Sequence, residues 1–214
     1  MKKTLFIALM ASFAVNAQVR EKGSIEIQPF AGFSTSKLYT SDAITHKSIV
    51  SPYFGVNAEF YFNSKWSLRT GLEFMQIGSK NPRYFNSGWN NMEEVRYKET
   101  FTNIALPIHA TVHFGKKRNL YLNFGPTFTY GISYKTSDGT VNINDIEDRF
   151  YAGLGIGVGY KYPITETISI AADYQNFTRI PEFVDFGNET HYYFYGNSAL
   201  SIKAIIHLGS KKEN

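Results

Sequence analysis

The chain has 214 residues, of which 43% are hydrophobic, 16% aromatic (18 Phe, 15 Tyr, 2 Trp) and 19% charged, with no Cys. That length suits one domain, and the lack of Cys excludes disulfides, thiolate metal sites, Cys nucleophiles and a lipid-modified N-terminal Cys. Sparse charge excludes a disordered chain or coiled coil; the formal +4 includes Lys2 and Lys3, and no basic run is long enough for a nucleic-acid partner.

The first segment reads as an address. Met1-Lys2-Lys3 is basic, Thr4 to Val15 is largely apolar, and Val15 and Ala17 stand where a signal peptidase needs small residues. The apolar run is too short to cross about 30 Å of hydrocarbon comfortably. The expected organisation is therefore a signal peptide at 1–17, cleaved before Gln18, and one barrel domain at 18–214. No later segment reaches the length of a membrane helix.

Beyond it the chain alternates with period two. The runs are Ile25 to Ser34, Tyr53 to Phe62, Trp66 to Met75, Asn103 to Phe114, Leu120 to Ser133, Phe150 to Lys161, Ile168 to Gln175 and Leu200 to Leu208. In each, one set is apolar (Ile104, Leu106, Ile108, for example) and the other small or polar (Thr111, His109, Asn103). Such alternation puts the two sets on opposite faces of a strand, and it predicts about eight strands. Short links at 63–65, 115–119 and 163–167 alternate with long polar stretches at 37–51, 78–98, 134–149 and 176–195. Short turns at one end and long loops at the other are the pattern of outer-membrane barrels. The fold class expected is all-β: an eight-stranded antiparallel up-and-down transmembrane β-barrel. A soluble lipocalin-like carrier is the alternative, with its faces the other way round. Phe62, Trp66, Phe114, Tyr160 and Tyr162 lie on or beside the apolar face near the short turns, where an interface girdle would sit.

The other face holds the candidate polar site. Glu26, Glu59, Glu73 and Asp173 oppose Arg69, Lys161 and Lys203, with His109, His113 and His207 nearby. An eight-stranded barrel is just wide enough for side chains to fill it, so an internal ion-pair network is expected rather than an ion path. His109 and His113 would share a metal on a helix, but on a strand they stand about 13 Å apart. No metal or cofactor is expected. Gly153, Gly155, Gly157 and Gly159 alternate too strictly for a nucleotide loop; they make room for bulky neighbours. No Ser–His pair stands at a persuasive spacing for catalysis. Loop aromatics (Tyr39, Tyr84, Phe85, Trp89, Tyr97, Phe183, Phe186, Tyr192, Tyr193, Phe194) read equally as a binding surface or as girdle and plug.

Thr102-Asn103-Ile104-Ala105-Leu106-Pro107-Ile108-His109 resembles a strand of the PorT-like outer-membrane β-barrel family. Tyr121-Leu122-Asn123-Phe124-Gly125-Pro126 and Gly153-Leu154-Gly155-Ile156-Gly157-Val158 resemble the strands after it. The family's usual Glu is replaced here, with Asn103 or Ala105 in that region. The resemblance implies a small barrel of the OmpX and OmpA type, with some members serving protein secretion. The function expected is a non-enzymatic barrel in the outer membrane of a Gram-negative cell, giving structural support or surface binding. An accessory barrel of a secretion system and a lipid-modifying enzyme are the alternatives. Its expected partners are outer-membrane lipid and, through loops 78–98 and 176–195, an extracellular ligand or envelope protein.

Overall fold

The computed structural model describes residues 20–40, 46–80, 97–137, 139–141, 149–180, 182–186 and 189–209; the signal segment expected at 1–17 lies outside them. Among the described residues there are ten strands and no helix. They are β1 (Ile25–Thr40), β2 (Lys47–Tyr61), β3 (Trp66–Lys80), β4 (Lys98–Phe114), β5 (Leu120–Thr136), β6 (Gly139–Val141), β7 (Phe150–Pro163), β8 (Ile168–Arg179), β9 (Glu182–Phe186) and β10 (Glu189–His207). Eight of them, all but the short β6 and β9, pair antiparallel in chain order. The ring closes through β1 and β10, from Glu26 opposite His207 to Thr40 opposite Tyr193. Closure leaves these eight strands no unpaired edge along the wall.

The faces are those of a barrel turned inside out. Leu72, Leu154 and Ile202 point outward and are 62%, 65% and 61% exposed, whereas Arg69 and Lys203 on the other face are 1% and 2% exposed. Every long strand repeats this, as β7 does with Leu154, Ile156 and Val158 outside and Gly155, Gly157 and Lys161 inside. A barrel in water would put the apolar set within, because burying a Leu or Ile is worth about 1.5–3 kcal/mol; only an apolar surrounding favours the opposite.

The connections separate the two ends. β2–β3, β4–β5 and β7–β8 join through short turns at 62–65, 115–119 and 164–167. In the second of these Gly115 (φ 80°) and Arg118 (φ 54°) both take the left-handed conformation, and Arg118 Nη1 donates to the carbonyl of His113 at 3.1 Å. At the other end strand structure runs further than the polarity suggests. The stretch expected as a loop at 176–195 is mostly strand: β8 continues to Arg179, and β9 pairs with the first part of β10, Phe186 opposite Glu189. Glu182, Asp185 and Glu189 interrupt a run otherwise rich in aromatic and β-branched residues about Gly187-Asn188, a two-residue hairpin signal. The stretch at 37–51 likewise shrinks, β1 ending at Thr40 and β2 starting at Lys47, and in the stretch at 78–98 the positions 81–96 lie outside the described residues.

The glycine row of β7 fits side chains from its neighbours. A Cβ at Gly153, Gly155, Gly157 or Gly159 would run into Phe177, His109, Gln175 or Tyr121 respectively. Tyr121 cannot swing away, since its hydroxyl donates to Asp173 and the Arg69 guanidinium lies 4.9 Å over its ring. Gly159→Val is expected to lower unfolding stability by about 1–3 kcal/mol. Ala152→Val, on the outer face of the same strand, should stay near neutral; equal urea midpoints for the two variants in micelles would contradict this packing.

Candidate functional site

The inner face carries all ten charged and imidazole groups singled out from the sequence, in several clusters, with His207 half-buried at the short-turn end of β10. Nearest the short turns, Lys161 Nζ on β7 reaches across to Glu26 on β1 at 2.7 Å and to Glu59 on β2 at 3.3 Å. It also donates to the hydroxyl of Tyr61, which donates to Glu26 at 3.1 Å. Gln28 bridges the two carboxylates from above. Arg20, just before β1, closes the mouth with a bond to Glu26 at 2.8 Å. Two carboxylates so near one another would repel; the cations between them make the arrangement stable.

Arg69 on β3 links this group to the next. Its guanidinium lies 3.9 Å from Glu59 and 3.4 Å from Asp173. Asp173 also accepts from Lys203 at 3.2 Å, from Tyr121, and from Gln175 at 2.7 Å. Glu73 has a different environment: its oxygens accept from Tyr53 at 2.7 Å and Asn57 at 3.1 Å, and no salt bridge reaches it among the described residues. Above lies an apolar layer of Phe30, Tyr53, Met75, Ala105, Phe177 and Ala199. At the long-loop mouth Tyr134 stacks on Phe101 (4.2 Å between ring centres), and Tyr195 and Tyr134 donate to Glu99 at 2.6 and 3.3 Å.

The two histidines serve separate clusters. His109 sits between Asn123 on Nδ1 (3.0 Å) and Thr127 on Nε2 (2.9 Å). That is the order of a nucleophile, base and orienting group, but Thr127 is buried and the adjoining cavity of about 20 Å³ admits no substrate. His113 Nε2 lies 2.9 Å from Ser67 Oγ and 2.8 Å from Glu59 Oε1, while Ser67 itself donates to Glu59 at 2.6 Å. Both partners crowd one ring nitrogen, which is not the relay geometry of a hydrolase. A third pair, Ser79 Oγ and His46 Nδ1 at 3.3 Å, forms where β2 begins and β3 ends, with Ser79 fully buried. His46 is a loop histidine in the sequence, and its serine partner comes from the pairing of β2 with β3, which sets Ser48 opposite Ser79. No group of three or more metal-ligating side chains converges among the described residues.

Phe62, Trp66, Phe114, Tyr160 and Tyr162 are exposed on the outer wall around the short-turn end. Of the loop aromatics, Tyr39 and Phe194 stack at 5.0 Å and Tyr97 bonds the Tyr134 hydroxyl at 3.2 Å. Tyr84, Phe85 and Trp89, and the side chains of Phe183, Phe186, Tyr192 and Tyr193, lie outside the described residues. Several lumen partners went unnoticed in the sequence: Arg20, Gln28, Tyr61, Ser67 and Tyr121. All but Arg20 carry the inner-face parity of their strands, so period two was the available signal.

The family model for "Outer membrane protein beta-barrel domain" matches residues 16–199. No curated protein matches the chain. Among solved structures, OprG from Pseudomonas aeruginosa is 12% identical, with a TM-score of 0.46, covering 87% of this chain and 97% of its own. Ail, the attachment invasion locus protein of Yersinia pestis, is 13% identical with a TM-score of 0.43, covering 86% and 99%. The N-terminal β-barrel domain of Pseudomonas aeruginosa OprF gives 13% and 0.43, covering 85% and 99%. Likeness this loose carries no information about ligand or partner.

Proposed function

The chain belongs to the outer-membrane protein β-barrel domain family, and from that premise we propose that it is a non-enzymatic, non-conducting barrel of the Gram-negative outer membrane. In this reading residues 1–17 direct export and are removed, and the short-turn end faces the periplasm. The five exposed aromatics at that end form the inner interface girdle. The work is done by the outer wall and the long-loop end, including 78–98 and 176–195, which support the membrane and bind at the cell surface.

The observation that carries the proposal is the filled lumen. Transport needs a continuous wet path and catalysis needs space for a substrate. Here ion pairs occupy the short-turn half and an apolar layer crosses the barrel above them. The cavity at the short-turn mouth, beside Arg20, Glu26 and Lys161, has a volume of only about 30 Å³. Folded protein in planar bilayers should therefore give a silent trace, and discrete steps of conductance would overturn the reading.

The outward apolar wall supplies a second test. Ile156→Lys, midway along β7, should cost about 2–4 kcal/mol when the protein folds into lipid vesicles, and Tyr162→Lys near the turn about 0–1 kcal/mol. Equal, small costs at both depths would mean that the wall does not meet lipid.

A further inference from the structure

The outer wall changes character abruptly toward the long-loop end of β1, β10 and β8. Cross-strand rows can be followed from their pairing. Ala31, Ile202 and Ala172 form one row, and Phe33, Leu200 and Tyr174 the next; both are apolar. The row above is Thr35, Ser198 and Asn176, with Asn176 Nδ2 donating to Ser198 Oγ at 2.9 Å. Next come Lys37, Gly196 and Thr178, and above them Tyr39 opposite Phe194. Within one step along the strands, lipid-facing residues give way to hydroxyls, an amide and a cation.

Gly196 makes this strip concave. It leaves a gap between Lys37 and Thr178, and the Tyr39 ring leans over it so closely that a Cβ at Gly196 would stand 2.9 Å from the ring edge. Tyr39 is held in place by stacking on Phe194, at 5.0 Å and 10° between planes. The Lys37 ammonium lies 5.2 Å from the centre of the Tyr39 ring, and no carboxylate pairs with it among the described residues. The resulting cavity of about 200 Å³ is lined by these side chains and by Ser48. It offers room for one sugar ring, an aromatic face beside it, hydroxyl and amide hydrogen-bonding groups, and a cation for an anionic substituent.

We propose that this notch is a binding site for the phosphorylated sugar headgroup of an outer-leaflet glycolipid. The inference rests on the membrane reading above, since that reading places the long-loop end at the outer leaflet. The continuity with the apolar rows argues for a lipid rather than a soluble ligand. Acyl chains lying along Phe33, Leu200 and Tyr174 would bring their own headgroup to Lys37 and Tyr39. Lys37 would meet the phosphate, Tyr39 would cover the ring, and Asn176, Thr178 and Ser198 would meet its hydroxyls.

The test is native mass spectrometry of the folded barrel released from micelles containing equal amounts of lipid A and phosphatidylglycerol. Wild-type protein should retain lipid A preferentially. Lys37→Gln should reduce that retention about tenfold, and Gly196→Val, which fills the notch, should do the same. Both variants are kept only if they show the wild-type heat-dependent shift in gel mobility. Equal retention of the two lipids by wild type, or undiminished lipid A on both variants, would overturn the site while leaving the membrane barrel standing. So would equally tight binding of glucosamine phosphate without acyl chains, which would make the ligand soluble. A wild-type chain that neither enters lipid nor shifts in mobility would instead defeat the membrane reading beneath it.

Discussion

Replacing Lys161 with Met is expected to destabilise the folded barrel by about 3–5 kcal/mol, the range for breaking a buried ion pair from one side. The ammonium touches Glu26 and Glu59 at once and donates to the Tyr61 hydroxyl. Met keeps the length and volume of the side chain, so lost packing contributes little. What remains is two buried carboxylates, joined to each other through Gln28. Glu26 keeps Arg20, and Glu59 keeps the more distant Arg69 together with His113, so the loss should sit toward the lower part of that range. Urea titration in micelles, read as the fraction with folded gel mobility, measures it. Adding Glu26→Gln to Lys161→Met removes the repulsion between the two carboxylates that Lys161 no longer separates and should recover part of the stability. A single variant as stable as wild type would mean that the cluster is hydrated from the short-turn mouth and carries no structural weight.

How much of this was legible in the sequence follows from what period two encodes. Parity along a strand says which residues share a face, and it is insensitive to which strand lies next door. Glu26, Glu59, Arg69, Glu73, Asp173 and Lys203 could thus be assigned to one face together. Their partners could not, because Lys161 reaches Glu26 across the lumen, a distance set by the closure of the ring. Arg20 lay outside any alternating run. The apolar layer was hidden for a related reason: Phe30, Met75 and Phe177 are isolated apolar residues on a polar face, one to a strand, and they become a layer only when the strands are assembled. The hairpin of β9 and β10 was masked by its acidic residues, which read as loop although the branched and aromatic positions between them favour strand.

Asp173 offers the sharper test, because its neighbours separate charge from packing. It is the acceptor for Arg69, Lys203, Tyr121 and Gln175, and it is 1% exposed. Asp173→Ala leaves two cations buried. Arg69 retains Glu59 at 3.9 Å, whereas Lys203 has no other carboxylate within salt-bridge distance among the described residues and projects toward the Phe30 ring, 5.4 Å from its centre. The expected loss is about 3–5 kcal/mol, and most of it should be assignable to the stranded ammonium. Lys203→Met in the Asp173→Ala background removes that ammonium and places an apolar chain beside Phe30, so the double variant should be more stable than Asp173→Ala alone. The cycle of wild type, two single variants and the double variant then yields a coupling energy of about 1–3 kcal/mol in favour of the pair. Additive losses would show that Lys203 and Asp173 do not act on each other. The lumen would then be held by its apolar layer and its Tyr hydroxyls, with the ion pairs as bystanders.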